Sequence, residues 1–475
     1  MSKTAVLFFL FLPFALLSVV FAADGDTQGQ AIPVQTTAMS SSAATAQNAG
    51  PESTPLIQYG FEERIRSEHW NNVADYNTNS DDERNQVRFR TKAWLSVNTN
   101  SVDFALKLNN EFKKQTVPSA PLNNDEALIE TLYLDFKKLP IKGLSFRIGR
   151  QDIMRGEGFV LFDGTSGDGS RTSYFNAVDL SYSWKKSKLE LIGILDPRQE
   201  RFLPLIHDQA RYLQEWDEQA LGLYYSDRNH KATDVDAYYF YKKEVNDFRA
   251  PTNALFQPDR QINTLGARMV RRLNHGVTVT GEFAGQWGTQ HANPAVGLQT
   301  ADIKAWGGYS YVKKSFQRKL KPYILGGVWA LSGTDSSTPT QIGGFDPIFS
   351  RWPKWSDLYI YSEVPEKGVA YWTNNRMFQA EAGFTPWKPV TFRATLYEED
   401  AFHPSGATPT VFGTGKHRGE DMQIRMDYTI NENLRGHIVY ESMAPGDFYK
   451  VQSNGYFFRA EITYQFKGRI TKLSR

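Results

Sequence analysis

The sequence predicts an all-β protein, a transmembrane antiparallel β-barrel of about eighteen strands with long extracellular loops and short periplasmic turns. Three observations carry that prediction. Beyond residue 23 no stretch is long and apolar enough for a membrane-crossing helix, and a chain that spans lipid without helices must close its sheet so that every backbone group is paired. From Leu56 onward, apolar and polar residues alternate with a period of two in segments bounded by Gly, Asn, Asp, Pro or Lys. The connections between these segments alternate between short and long, as in outer-membrane barrels.

In chain order, Lys3 precedes an unbroken apolar run from Ala5 to Phe21 that ends in Ala22 and Ala23. This is the pattern of a signal peptide over residues 1–23, cleaved after Ala22 or Ala23. A retained anchor is the alternative, and Pro13 and the small-residue exit speak against it. The chain has no cysteine, which excludes a lipidated N-terminus, disulfides and Cys-based metal sites. Residues 24–55 are Ala, Ser, Thr, Gln and Pro with few large apolar groups. Such a segment buries too little surface to offset its ordering entropy and is expected to be a disordered periplasmic tail.

Residues 56–466 are expected to form the barrel. In 87–97, Val87, Phe89, Ala93, Leu95 and Val97 share one face while Arg88, Arg90, Lys92 and Asn98 share the other, which is apolar-out, polar-in pleating. In 277–287, Val277, Val279, Phe283 and Trp287 oppose Thr278, Thr280, Glu282 and Gln286. The last strand places Tyr456, Phe458, Ala460, Ile462, Tyr464 and Phe466 outward against Phe457, Arg459, Glu461, Thr463 and Gln465. A soluble sandwich would need a second sheet over each apolar face. An aromatic content of 14% with a negative mean hydropathy suits a wet lumen and aromatic girdles. The net charge of +2 gives no support for nucleic-acid binding.

Short turns are expected near Asn100, Pro140, Lys186, Asn229, Asn274, Ser315, Trp387 and Asn433. Longer segments lie between them, at 67–83, 112–126, 153–173, 196–218, 244–260, 288–300, 332–373, 400–418 and 444–453. Eight turns and nine loops make about eighteen strands; sixteen follows instead if the weak hairpin near 189–225 is misread. Residues 467–475, KGRITKLSR, form a short basic extension beyond Phe466, the aromatic residue expected to end a barrel strand. A barrel of this size encloses an aqueous channel, which argues for passage across the outer membrane of a Gram-negative bacterium. Outer-membrane lipid, lipopolysaccharide and the assembly machinery are its expected partners, with no cofactor and with monomer or trimer left open.

The inward positions are the candidate functional surface. They include Arg88, Arg90, Lys92, Arg147, Arg268, Arg393, Arg425 and Arg459, facing Asp103, Asp179, Glu282, Asp427 and Glu461. One reading is a basic constriction for an anionic sugar, since a guanidinium stays charged and binds carboxylates bidentately. The other is that rows of opposite charge on neighbouring strands pair and stiffen the wall. In an open lumen Arg90 is expected to be wet and already solvated. Enzyme signals are weak: no G-x-S-x-G elbow is present, His207 and Asp208 have no identified nucleophile, and the adjacent Glu398, Glu399 and Asp400 point to alternate faces. The stretch from Asp163 to Ser170 resembles a calcium loop only loosely, lacking its closing Glu. No catalytic or metal-binding residue is assigned.

LSFRIGRQ at 144–151, a Gly-rich loop and then RTSYFNAVDLSY at 171–182 resemble the alginate export porins, as do IETLYLDF at 129–136, GEDMQIRMDYTINENL at 419–434 and MAPGDFY at 443–449. The resemblance runs from about residue 56 to 466. It implies an eighteen-stranded barrel with an Arg-lined passage for a polyuronate chain, gated by periplasmic and extracellular loops, with Arg147, Arg150, Arg155 and Arg171 in matching motifs. The family pattern puts Arg147 and Gln151 inward, whereas strict alternation turns Arg150 outward unless Gly149 forms a bulge. In the loop 332–373, Trp352 and Trp355 either stack on sugar rings at the mouth or pack the loop on itself. A general diffusion porin and a barrel-embedded hydrolase are the alternatives to a polysaccharide channel, and export and uptake are equally open.

Overall fold

The strands are β1 (Ile57–Asn71), β2 (Arg84–Asn98), β3 (Val102–Val117), β4 (Asn123–Phe136), β5 (Leu144–Gln151), β6 (Phe175–Trp184), β7 (Ser187–Asp196), β8 (Asp217–His230), β9 (Thr233–Val245) and β10 (Arg260–Arg272). They continue as β11 (Val277–Gln290), β12 (Ala301–Ser315), β13 (Tyr323–Leu331), β14 (Gln341–Ile342), β15 (Asn375–Trp387), β16 (Val390–Asp400), β17 (His417–Thr429), β18 (Leu434–Pro445) and β19 (Gly455–Ile470). The computed structural model describes residues 56–162, 174–206, 217–245, 258–292, 299–350, 356, 358, 373–405 and 410–471, without the side chains of 123–126. The expected signal peptide, the tail and the pairs His207/Asp208 and Trp352/Trp355 lie outside the described residues, as do Arg171 and the stretch 163–170.

All strands but β14 pair antiparallel with their sequence neighbours, and β1 pairs with β19 from Ile57↔Ile470 to Asn71↔Tyr456. The sheet therefore closes into an eighteen-stranded barrel. The two-residue β14 sits in the loop between β13 and β15 and lies parallel to β12. The hairpin that left sixteen strands open is formed, with Ser187↔Asp227 to Asp196↔Glu218 in register. Each of the eight expected short turns falls between consecutive strands at one rim, and the long connections gather at the other.

The closed sheet is inside-out relative to a soluble barrel. Phe61, Ile65, Leu191, Leu223, Phe283, Phe458 and Ile462 are exposed on the outer face, while Glu62, Arg64, Arg66 and Glu68, which alternate with them on β1, are buried. An exposed apolar belt around a closed sheet is the surface that lipid covers. Several boundaries differ from the sequence expectation; β1, for example, runs to Asn71, into the expected loop 67–83. β3 runs to Val117 and β4 starts at Asn123, so only 118–122 loop out where 112–126 was expected. Above the lipid belt, outward positions such as Lys114 need not be apolar, so the alternation fades while the hydrogen-bond ladder continues. β19 likewise runs past Phe466, pairing Gly60↔Lys467 through Ile57↔Ile470, so four residues of the basic extension are strand.

Candidate functional site

Two loops from the long-loop rim fold into the lumen. Between β5 and β6, Arg155-Gly156-Glu157-Gly158 forms a tight turn in which the Gly158 amide donates to the Arg155 carbonyl at 2.9 Å. Gly156 and Gly158 have φ of +58° and +77°, conformations that glycine adopts without steric cost. The turn points its two charged residues at opposite parts of the wall. Arg155 Nε and Nη2 donate to Glu190 of β7 at 2.8 and 2.7 Å, and Nη2 also to Asp179 of β6 at 3.1 Å. Glu157 Oε1 accepts from Arg268 Nη2 of β10 at 3.1 Å and from the Tyr311 hydroxyl of β12 at 2.5 Å. Asp152, at the root of the loop, accepts from Lys107 of β3 at 2.9 Å.

The same loop buries Ile153, Phe159, Val160 and Leu161 against inward residues of β6 to β13, including Ile192, Tyr238, Phe240 and Ile262. Burying four such side chains is worth on the order of 1.5–3 kcal/mol each. The second loop, between β13 and β15, joins this core through Phe345, Ile348 and Phe349. Phe345 stacks on Phe159 with ring centroids 5.2 Å apart, and the Phe349 amide donates to the Val160 carbonyl at 3.2 Å. Arg260 holds Asp346 at 2.7 Å, and Lys242 donates to the Ile348 carbonyl at 2.7 Å. Farther along, the Ser356 hydroxyl and the Leu358 amide donate to Glu441 of β18 at 2.9 and 2.7 Å. The loop is thereby anchored both on β8–β11 and on β18.

The wall formed by β1, β2, β3, β4 and β19 carries a lattice of ion pairs. Glu68 accepts from Arg88 at 3.2 Å and Arg459 at 2.9 Å; Arg88 also meets Glu111 at 2.8 Å. Arg66 pairs with Glu461 at 2.6 Å, Arg90 with Glu62 at 3.3 Å and Lys92 with Glu130 at 2.9 Å. Arg88 and Arg90 are 5% exposed, Lys92 8% and Arg459 2%. The expectation that Arg90 is solvated in an open lumen is therefore corrected: these side chains lie flat against the wall and bond one another, in the arrangement the wall-stiffening reading describes. Breaking such a pair by removing one partner costs about 3–5 kcal/mol.

The alginate export family profile matches residues 56–460, which covers the barrel just described. The chain belongs to the alginate export family. It is an outer-membrane β-barrel. Comparison with curated proteins gives no match. Among solved structures, OccK2 (OpdF) of Pseudomonas aeruginosa superposes with a TM-score of 0.53 at 14% identity, covering 86% of this chain and 98% of that one. The same protein in complex with glucuronate gives a TM-score of 0.52 at 13% identity over 86% and 96%. OccAB4 of Acinetobacter baumannii gives 0.54 at 9% identity over 88% and 100%. At these identities the likeness establishes the fold.

In this alginate export family barrel the remaining sequence-predicted residues fall into distinct environments. Arg147 faces inward, donates to Asp135 at 2.5 Å and lies 4.5 Å over the Tyr133 ring. Arg425 bonds Asp427 at 2.8 Å, and its neighbour across the strands is Arg393. Arg268 meets Glu157, Asp236 and Glu282. Gly149 has φ of +125°, yet pairing runs through it without a register shift, so Arg150 stays opposite Leu132 and Asn176. Arg150 is buried there, 2.6 Å from Glu200 and 3.7 Å over the Tyr174 ring. Burial opposes ionisation of Glu200, but the Tyr174 hydroxyl and the Arg150 guanidinium hold its carboxyl below the usual range.

Sequence reasoning passed over Lys107, Arg435, Arg64 and Arg66. The last two share with Glu62 and Glu68 the same alternation that was read on β2, so the period alone would have placed them inward. Lys107 and Arg435 sit on strands whose alternation is weaker. Their inward facing follows from cross-strand partners, Thr131 for Lys107 and Thr463 for Arg435.

Proposed function

We propose that this outer-membrane channel passes an anionic polysaccharide or oligosaccharide of the alginate type, a polyuronate, across a lumen whose accessible inner face is basic. The observation that carries this reading is a division among the inward cations. The lattice cations Arg64, Arg66, Arg88, Arg90, Lys92 and Arg459 are buried, whereas Lys107, Arg147, Arg155, Arg425 and Arg435 keep side chains between 17% and 28% exposed. Exposed cations within a lumen attract anions and can exchange an internal carboxylate for a passing one. Membership of the alginate export family supports the same substrate class, as does glucuronate, itself a uronate, in complex with the structurally similar OccK2. We infer from the same evidence that the protein transports and does not catalyse.

A second reading, a general diffusion porin, draws on the acidic partners of these same cations, which weaken the net field. Reversal potentials across a salt gradient in planar bilayers separate the two. Anion selectivity, shifted toward cations by Arg147→Glu or Arg435→Glu, is the expected result. Cation selectivity in the unmodified protein would remove the polyuronate reading.

A further inference from the structure

We propose that Glu157 is an internal stand-in for the substrate's carboxylate, and that Arg268 with Tyr311 forms a carboxylate seat which a uronate occupies by displacing it. The proposal rests on the polyuronate reading and names a subsite for it. The seat has the donor set a hexuronate needs: a guanidinium nitrogen 3.1 Å and a phenolic oxygen 2.5 Å from one carboxylate oxygen. What distinguishes this pair from the wall lattice is its accessibility and its mounting. Glu157 is 24% and Arg268 11% exposed, against 1% and 0% for Arg66 and Glu68. Glu157 belongs to a turn and not to a wall strand, so its carboxylate can withdraw without unpairing the barrel.

A second observation lies beneath the turn. The Tyr224 hydroxyl is buried and has no hydrogen-bond partner among the described residues. It sits 3.4 Å from the point where a Cβ on Gly156 would lie, and Arg268 Cδ is 3.0 Å from the same point. Gly156 thus lets the turn press directly onto the seat and cover a phenol that it does not bond. A buried hydroxyl left without a partner is costly, and a sugar hydroxyl entering as the turn lifts would satisfy it. Tyr224 stacks on Tyr238 with centroids 5.6 Å apart, and both rings are buried. A ligand that must displace an internal competitor binds less tightly by the fraction of time the seat is free.

The experiment uses the full chain in planar bilayers and reads the concentration of a uronate tetrasaccharide that halves the ion current, with a neutral glucose tetrasaccharide as control. Glu157→Gln should lower the half-blocking uronate concentration about tenfold and leave the neutral value unchanged. Asp302→Asn removes an acidic charge at the same rim but on the outer face, where Asp302 pairs with Lys304, and should change little. Glu157→Asp keeps the charge but shortens its reach, and should give a fall of about threefold; it serves if Glu157→Gln fails to assemble. An unchanged uronate value in the Glu157 variants, or an equal fall in Asp302→Asn, overturns the proposal and leaves the polyuronate reading standing. No uronate block in the unmodified protein, with block by the neutral sugar retained, overturns both.

Discussion

Glu68→Gln tests whether the lattice on β1, β2 and β19 is structural. Glu68 accepts from Arg88 and Arg459 at 3.2 and 2.9 Å and lies 3.5 Å from Arg66, with its side chain fully buried. At an effective dielectric of about 20, each contact near 3 Å is worth about 5 kcal/mol before desolvation, and desolvation takes back several kcal/mol per ion. Removing the one carboxylate takes a shared counter-charge from three buried guanidinium groups, of which Arg88 keeps Glu111 and Arg66 keeps Glu461, and the net loss is expected at about 3–5 kcal/mol. Folded and unfolded forms of the barrel separate by heat-modifiable gel migration, and urea titration in vesicles gives the stability difference. The control is Asp302→Asn, which breaks an outward pair with Lys304 whose side chains are both 63% exposed, and which should cost no more than about 1 kcal/mol. Adding Arg88→Gln to Glu68→Gln should recover part of the loss, because it removes one of the excess positive charges. If Glu68→Gln costs no more than the Asp302 control, the lattice is solvated and the burial argument is wrong.

The outer face should respond to the opposite chemistry. Phe89→Arg puts a charge against lipid, lowering folding stability by about 2–4 kcal/mol near the bilayer midplane without changing the reversal potential of the channels that insert. At the long-loop rim, the Glu200 carboxyl is held below its ordinary range, so the contact it makes with Arg150 and Tyr174 is favoured above the unfolded carboxylate pKa and lost as pH falls through the lowered folded value. Limited proteolysis of residues 197–206 should therefore accelerate only in acid, and Glu200→Gln should show the acid rate already at neutral pH.

What the sequence made legible followed from periodicity and from turn chemistry. Arg88, Arg90 and Lys92 face inward, as the alternation with Val87 and Phe89 required, and the turns near Lys186 and Asn274 lie where Lys, Asn and Gly interrupt that alternation. Periodicity fixes a face, but not what lies across it. Glu68 and Arg459 are 391 positions apart, and they meet only because β1 closes against β19. No local pattern records that partner, so the wet and the wall-bound readings of these arginines were indistinguishable before the register was known.

The inward loops escaped for a different reason. Residues 152–162, DIMRGEGFVLF, have neither alternation nor a helical period, and a segment with neither is ordinarily assigned to solvent. Here the lumen wall supplies the burial that a second sheet supplies in a sandwich: Ile153, Phe159 and Leu161 find Ile192, Phe240 and Ile262 across it. The signal was present as apolar residues out of proportion to a solvated loop, flanking two glycines. In the proposed displacement the same feature ties the loop to transport. A segment held by an apolar core on one side and by charge pairs at Arg155 and Glu157 on the other would stay in place while its charged tip exchanged partners, and it is at such a tip that a passing carboxylate would be read.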